Sequence, residues 1–339
     1  MSLTTRIRTC AAALLAPLLA LFLALLPPLP AQAAASCAGQ VRGINLVPLP
    51  TGWYDNAVEM KFPDASYVAY YKGVGLRAIR LPLYWEDMQP IFGASLNARY
   101  LQHTREFLDI AQANGMKVLI DLHNYARYRK VLIGSEDVPV AAFARFWKRL
   151  AAELKSHPAV FAWGLMNEPH QTGGTWPAIA QAGVDAIRSE DSTRPIYVGG
   201  DNWSNAQTWP AQHPAPFVND PANRIVYEAH VYFDDDFSGR YKVPLGAGVD
   251  AAARAAQRLQ PFIDWLKKHN QRGAIGEVGV PMDDPRWLQA LGRFLDMADA
   301  ACLDWFMWAG GAWRPNYELN LEPIDGKDRP QIELIRSRM

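Results

Sequence analysis

Eight short apolar segments of strand-forming composition alternate with longer amphipathic segments from residue 41 to the end of the chain. The candidate strands are Val41–Leu46, Ala78–Leu81, Lys117–Asp121, Phe161–Met166, Ile196–Gly199, Ile225–Ala229, Ala274–Gly276 and Trp305–Trp308. Chains in which eight strand–helix units follow one another over roughly 250–300 residues fold as (β/α)8 TIM barrels. The sequence therefore predicts an α/β fold with one barrel, whose active site lies at the C-terminal ends of the strands.

The segments between these strands carry apolar residues at helical spacing. The candidate helices are Asn97–Asn114, Val140–Lys155, Ala251–His269, Pro285–Ala298 and the short terminal Pro330–Met339. A doubly wound open sheet is the alternative, but it would need a glycine-rich phosphate turn after its first strand. Gly43-Ile44-Asn45 is no such turn, and no Gly/Ser-rich linker divides the chain. We therefore expect one catalytic domain over residues 36–339.

The composition is that of a soluble globular protein, with 50% hydrophobic and 20% charged residues in a chain of 339. The formal net charge is zero, whereas a nucleic-acid-binding protein would show a basic excess or a basic stripe. The chain contains twelve tryptophans and thirteen tyrosines. Aromatic rings stack on the apolar faces of sugars, although we expect more than half of these rings to lie in the core.

The first 35 residues have the three parts of a secretory signal peptide. Arg6 and Arg8 give it a positive start, Ala11–Leu26 is its apolar part, and Ala31-Gln-Ala33 fits a small-x-small cleavage site. One alternative is a retained membrane anchor, because the apolar stretch is near the short limit for a span. Another is a lipoprotein at Cys37, which lacks the large aliphatic residue expected three positions upstream. We predict a secreted or periplasmic protein that contacts no membrane after cleavage.

Removal of the signal peptide takes Cys10 away and leaves two cysteines, Cys37 and Cys302. Cys37 precedes the first predicted strand and Cys302 precedes the last, and these two strands are neighbours in a closed barrel. Both cysteines would lie at the bottom edge of the barrel, in an oxidising compartment. We therefore predict a Cys37–Cys302 disulfide; the alternative is two independent thiols.

Two glutamates stand directly after apolar runs, Glu168 within Asn167-Glu168-Pro169 and Glu277 within Gly276-Glu277-Val278. A carboxylate at the end of a buried strand is held rigidly and points into the mouth of the barrel. A single glutamate in such a position is commonly a solvated loop residue. Two of them on separate strands are what glycoside hydrolysis requires, because it needs one acid and one nucleophile or base.

Polar and aromatic side chains follow almost every other predicted strand as well. The candidates are Arg80, His123, Asn167, His230, Tyr232 and Trp308. Each one alone has a structural explanation, such as an ion pair for the arginine or a hydrogen-bonded core position for a histidine. Core packing does not require all of them at one end of the barrel, so together they predict a site.

The ordered set resembles glycoside hydrolase family 5, the cellulase family, over essentially the whole mature chain. That family carries Arg on strand 2, His on strand 3, Asn-Glu on strand 4, His-x-Tyr on strand 6, Glu on strand 7 and Trp on strand 8. This chain matches every one of these positions. The segments Asp121–Arg127 and Met166–His170 are most similar to the endo-β-1,4-glucanase branch.

The resemblance implies a retaining O-glycosyl hydrolase of the cellulase type, which the signal peptide predicts to be secreted, and we expect no cofactor. Glu277 would be the nucleophile, and Glu168 would be the proton donor and then the base, with the two carboxyl groups about 5–5.5 Å apart. The remaining members of the set would bind the substrate or orient the two carboxylates.

The resemblance implies a β-linked polysaccharide or oligosaccharide as substrate and leaves its identity open. Mixed-linkage glucan, mannan or a self-made bacterial exopolysaccharide are alternatives to cellulose, because Asn316–Arg329 is long and departs from the cellulase pattern. Trp53 and Trp203 fall in predicted loops at the top of the barrel. They are candidate sugar platforms, and the alternative for each is a place in the loop core.

Two other classes of protein stay open. A non-catalytic sugar-binding barrel would have no need of both glutamates and of the residues that tune them. A phosphate-handling barrel would carry a glycine-rich turn after strand 7 or 8, and Gly310-Gly311 is only a faint match. The chain has no His-x-x-x-His or His-Glu-x-x-His pattern, so we expect no metal site. We expect a monomer.

Overall fold

Eight parallel strands close into a barrel in the computed structural model, which describes residues 37–48, 61–311 and 317–339. The strands are β1 (Arg42–Leu46), β2 (Ala78–Leu83), β3 (Lys117–Leu122), β4 (Val160–Gly164), β5 (Ile196–Gly199), β6 (Ile225–Val231), β7 (Gly273–Val278) and β8 (Asp304–Gly310). They pair in chain order, and β8 pairs with β1. The predicted (β/α)8 barrel and its eight strands are confirmed. A small hairpin, Arg127–Tyr128 with Val131–Leu132, follows β3.

Helices connect the strands. They are α1 (Ala65–Val74), α2 (Trp85–Met88), α3 (Ala98–Ala113), α4 (Val140–Leu154), α5 (Trp176–Arg188), α6 (Trp209–Gln212), α7 (Ala251–His269), α8 (Arg286–Ala300) and α9 (Pro330–Arg336). The five predicted helices are confirmed, with ends shifted by a few residues. The predicted signal peptide, residues 1–35, lies outside the described residues. Within the described part of the chain, no helix combines the length and the apolarity that a membrane crossing requires.

Helix α1 was not predicted, because its sequence contains three tyrosines and two valines, residues with modest helix propensity. Its ends nevertheless carry the signals of a helix. The Asp64 side chain accepts a hydrogen bond from the Ser66 amide at the start, and Gly75 ends the helix with φ of 115°. A left-handed residue at that position favours glycine.

The lower part of the barrel interior is an apolar layer. One buried residue from each of β2 to β8 contributes to it: Ala78, Leu119, Ala162, Tyr197, Val226, Ala274 and Phe306. On β1 the corresponding position is Gly43, where a Cβ atom would lie 2.4 Å from the Phe306 ring. The apolar layer closes the barrel from below, so that polar side chains higher on the strands are reached only from the C-terminal end.

The predicted disulfide is present between Cys37, just before β1, and Cys302, just before β8. The two Cα atoms are 5.2 Å apart and 265 residues apart in sequence. Hydrogen bonds at the same edge reinforce the closure, because Asp304 accepts from the Val41 amide at 2.7 Å and Gln40 donates to the Leu303 carbonyl at 2.7 Å. The first and last strands are therefore joined covalently at the bottom of the barrel.

Removal of this disulfide is expected to lower stability without removing activity at low temperature. A Cys37→Ser/Cys302→Ser variant should lose about 2–4 kcal/mol in the free energy of unfolding, because a long covalent loop constrains the unfolded chain. Thermal unfolding with and without reductant measures this. The wild type should shift to a lower midpoint in reductant and the double variant should not. Equal midpoints for all four samples would contradict the expectation.

Candidate active site

The two glutamates predicted from the sequence face each other at the C-terminal end of the barrel. Glu277 lies on β7, and Glu168 lies four residues beyond the end of β4. One carboxylate oxygen of each and a ring nitrogen of His230 all lie within 4.8 Å of one another. The side chain of Glu277 is 6% exposed and that of Glu168 is 17% exposed. One carboxylate is therefore buried, and the other opens toward solvent.

The chain after β4 is held in a conformation that places Glu168 over the barrel. The Asn167 amide donates to the Leu122 carbonyl at 2.8 Å, and the Asn167 carbonyl accepts from the Tyr125 amide at 2.9 Å. These bonds attach the segment to the end of β3. Glu168 itself has φ of 42°, a left-handed conformation that costs a residue with a Cβ atom about 1–3 kcal/mol. The surrounding hydrogen bonds offset that cost.

Arg80 is the centre of the buried polar layer. Its guanidinium is fully buried and donates to five side-chain oxygens from five other strands or strand ends. The acceptors are Asn45 at 3.0 Å, Asp121 at 3.0 Å, Asn167 at 2.8 Å, Glu228 at 3.0 Å and Glu277 at 3.3 Å. A planar guanidinium can donate in several fixed directions at once, whereas an ammonium cannot present the same fork. Arg80 thus joins its own strand β2 to β1, β3, β6, β7 and the segment after β4.

Glu277 is held through both of its carboxylate oxygens. Oε1 accepts from Arg80, and Oε2 accepts from the Tyr232 hydroxyl at 2.7 Å. Burial raises the pKa of Glu277; the cations His230 and Arg80 oppose the rise, and the charge of Glu168 adds to it. The donors favour the ionised form and fix its orientation.

His230 bridges the acidic groups of the site. Its Nδ1 lies 2.7 Å from Oε1 of Glu168 and 3.6 Å from Oε2 of Glu277, and its Nε2 lies 3.4 Å from Oε1 of Glu228. Burial lowers the pKa of His230, but the charge of Glu277 and the hydrogen bonds to Glu168 and Glu228 outweigh it and raise the pKa to about 10. The carboxylates at both ring nitrogens therefore favour the doubly protonated, imidazolium form of His230.

His123 has the opposite character. Its Nδ1 lies 2.8 Å from Asp121, and its ring stacks on the Trp308 indole, with 5.6 Å between centroids and 10° between planes. Burial lowers the pKa of His123 to about 4. The nearby Arg80 charge also lowers this pKa, whereas the charges of Glu277 and Glu168 oppose the decrease. A neutral histidine stacked on an indole forms a flat wall beside the two glutamates.

The aromatic residues divide between the site and its margin. Trp308 is 9% exposed, and its Nε1 donates to the Tyr317 hydroxyl at 3.1 Å. Trp203 is 45% exposed and lies parallel to His170, with 4.4 Å between ring centroids. His170 in turn contacts the Glu168 carbonyl at 3.2 Å. Trp53 lies outside the described residues, so its predicted place in the site stays a prediction.

The structure brings together all eight residues of the predicted ordered set, and Trp203 stands beside them. Sequence reasoning missed Asn45 and Glu228 as members of the site, and it named Asp121 only as a polar residue at the end of strand 3, without a role. Asp121 and Glu228 lie two residues before the predicted His123 and His230, so each pair shares one side of its strand. A carboxylate inside an apolar strand requires a partner, and this was the available signal. Asn45 gave none, because an amide within a strand has many structural uses.

Glu168, His230 and Glu277 are also, within the described ranges, the group whose donor atoms lie close enough to hold a metal ion. The carboxylates beside both His230 nitrogens favour the doubly protonated ring, and that form has no free lone pair for a metal. The arrangement is instead suited to proton sharing among two carboxylic groups and one imidazolium.

The raised pKa of His230 predicts a pH-dependent contribution to stability. A folded pKa of about 10, above the unfolded value of about 6.5, gives stability that is fully present below pH ~6.5 and lost as pH rises through ~10. The difference in thermal-unfolding midpoint between the wild type and His230→Gln should therefore shrink from pH 6 to pH 10. His213→Gln is the matched control, because burial lowers the pKa of His213 to about 4. A His230→Gln difference that stays constant over this range would contradict the expectation.

Comparison with known proteins identifies relatives of the whole fold. The family model described as cellulase (glycosyl hydrolase family 5) matches residues 33–313. A probable endo-beta-1,4-glucanase B from Neosartorya fischeri is 30% identical over 299 residues, 85% of either chain. The Pseudomonas stutzeri endoglucanase Cel5A, solved in complex with cellobiose, is 41% identical with a TM-score of 0.84, covering 88% of this chain and 91% of that one. The endo-beta-1,4-glucanase Xac0029 from Xanthomonas axonopodis pv. citri is 33% identical, with a TM-score of 0.80 and coverage of 88% and 98%.

Proposed function

The chain belongs to glycosyl hydrolase family 5, the cellulase family, and we propose that it is an exported endo-β-1,4-glucanase that cleaves internal bonds with retention of configuration. The retaining mechanism is supported by the closeness of the two carboxyl groups. One oxygen of Glu168 and one oxygen of Glu277 lie within 4.8 Å of each other. Retaining glycosidases hold their two carboxyl groups about 5–5.5 Å apart, whereas inverting enzymes leave ~6.5–9.5 Å for a water molecule.

In the first step Glu277 attacks the anomeric carbon, and the bond from that carbon to the leaving oxygen breaks. Glu168 transfers its proton to the leaving oxygen, so that the released sugar departs as an alcohol. A covalent glycosyl–Glu277 ester remains. The bonds from Arg80 and Tyr232 support this role, because they direct the Glu277 carboxylate and favour its ionised form.

In the second step Glu168, now a carboxylate, takes a proton from water, and the hydroxide attacks the same carbon. The ester bond breaks, and Glu277 is regenerated. The partial exposure of Glu168 supports its double role, since the leaving group and the water must both reach it from the open side.

The substrate contacts follow from groups that face the same space. The Asn167 Nδ2 atom is buried without a protein partner, and we assign it to a sugar hydroxyl next to the reacting carbon, a contact that tightens in the transition state. His123 and Trp308 form the wall and floor for the cleaved sugar. Trp203, backed by His170, offers an exposed face for a further sugar ring. The cellobiose complex of the Pseudomonas stutzeri relative supports a β-1,4-glucan.

Export is supported by two features. Residues 1–35 have the parts of a secretory signal peptide. The Cys37–Cys302 disulfide is of the kind that persists in oxidising compartments. The mature domain would then span residues 36–339.

Reducing-end release from soluble β-glycans tests the activity. We expect rapid release from carboxymethyl cellulose and mixed-linkage β-glucan, and slower release from xyloglucan and glucomannan. Glu277→Gln and Glu168→Gln should each lose at least ~10³-fold in kcat/KM on carboxymethyl cellulose, because each removes a group that acts in the transition state. Glu106→Gln, on the surface of α3, is the matched control and should keep wild-type rates.

If either glutamine variant kept near-normal turnover, the catalytic role assigned to that glutamate would be wrong. Wild-type release from glucomannan alone would replace the β-1,4-glucan assignment with a mannan. Release from none of the four polymers would reject the endo-glucanase proposal.

A further inference from the structure

Glu228 is a buried carboxylate that the chemistry above does not use. It lies on β6 two residues before His230, so both side chains point into the barrel, with Glu228 one layer lower. Its side chain is 3% exposed. A carboxylate so far from water is costly unless donors compensate it, so its presence directly beneath the site requires an explanation.

The neighbouring strand makes room for this carboxylate. The register between β6 and β7 shifts between Ala229 and His230, next to Gly276. A Cβ atom added to Gly276 would lie 2.5 Å from the Glu228 carboxyl group. The three atoms nearest to it would all belong to the Glu228 side chain. The residue immediately before Glu277 therefore lacks a side chain where Glu228 needs the space.

Glu228 connects the two cations of the site. Its Oε1 accepts from Arg80 at 3.0 Å and lies 3.4 Å from Nε2 of His230. The other nitrogen of His230 lies 2.7 Å from Oε1 of Glu168. Because His230 has a carboxylate at each nitrogen, it holds a proton on each. The contacts form a continuous line from Glu228 through His230 to Glu168.

Other charged groups surround His230 and Glu228, but none of those named here takes the place of Glu228 beside Nε2 of His230. The charged or titratable groups around them are Arg80 on β2, Asp121 and His123 at the end of β3, Glu168 after β4, Tyr197 on β5 and Glu277 on β7. Within this set, Glu228 is the carboxylate beside Nε2 of His230. Asp121 accepts from the same Arg80 nitrogen, also at 3.0 Å, but its second oxygen faces His123.

We propose that Glu228 is a positioning residue for the acid step, acting through His230. Its negative charge beside Nε2 keeps the His230 ring doubly protonated, so that His230 donates from Nδ1 to Oε1 of Glu168. The acid proton of Glu168 is then confined to its other oxygen, Oε2, from which it passes to the leaving oxygen. This assignment rests on the proposed function, since it specifies how the acid of that reaction is oriented.

The proposal predicts a defect that depends on the leaving group. When the anomeric carbon–oxygen bond of a cello-oligosaccharide breaks, the electron pair stays on a sugar oxygen that needs a proton. With a 2,4-dinitrophenyl glycoside it stays on a stable phenolate that needs none. A loss of acid orientation therefore slows the first substrate and spares the second, while general disorder of the site slows both.

The experiment compares kcat/KM of wild type and Glu228→Gln for cellotetraose and 2,4-dinitrophenyl β-cellobioside. General acid catalysis contributes about 10²–10⁴-fold, so we expect a loss of about 10²-fold on cellotetraose and less than ~5-fold on the aryl glycoside. Asp121→Asn is the matched control. It removes a carboxylate from the same Arg80 nitrogen without touching His230, and should slow both substrates by the same factor.

Gly276→Ala provides a second route, because its added methyl group displaces the Glu228 carboxylate while leaving the charge in the protein. It should show the same selective loss, and it decides the question if Glu228→Gln does not fold. Equal losses on both substrates in whichever of these variants folds would overturn the role of Glu228 while leaving the proposed function intact. A wild type that hydrolyses neither substrate would overturn both.

Discussion

A single buried cation organises the catalytic end of this barrel. The Arg80 guanidinium has no contact with water and is surrounded by three carboxylates and two amide oxygens. Loss of the arginine would leave three buried carboxylates without their shared cation, and breaking a buried ion pair in this way costs about 3–5 kcal/mol. The strands that carry these partners are therefore held in one arrangement. The separation of Glu168 and Glu277 follows from that arrangement and not from a direct bond between them.

The rest of the site divides its two glutamates by environment. Glu277 is buried and receives two hydrogen bonds, which favour a fixed anion. Glu168 stands on a left-handed backbone, open to solvent on one side and bonded to His230 on the other. Glycines leave space beside two of the buried acids, since a Cβ on Gly276 would crowd Glu228 and one on Gly164 would crowd both Leu119 and Asp121. The chemistry depends on this asymmetry as much as on distance.

Much of this could be predicted from the sequence, because the relevant signals are local. Strand ends were visible as apolar runs followed by a polar residue, and the ordered set from Arg80 to Trp308 matched a known family. The parts that could not be predicted depend on contacts between strands. Neither the register shift that sets Gly276 beside Glu228 nor the convergence of five acceptors on Arg80 is encoded by spacing along the chain. Helix α1 was missed because its propensity is weak and its packing stabilises it.

The most direct test of the account is the configuration of the first sugar released from cellotetraose, followed by proton NMR before mutarotation. Two carboxyl groups held this close by the Arg80 cluster leave no room for water to attack opposite the leaving group. The account predicts that the β anomer appears first and the α anomer accumulates only later. Initial release of the α anomer would mean inversion, and would contradict both the covalent role of Glu277 and the geometric argument on which it stands.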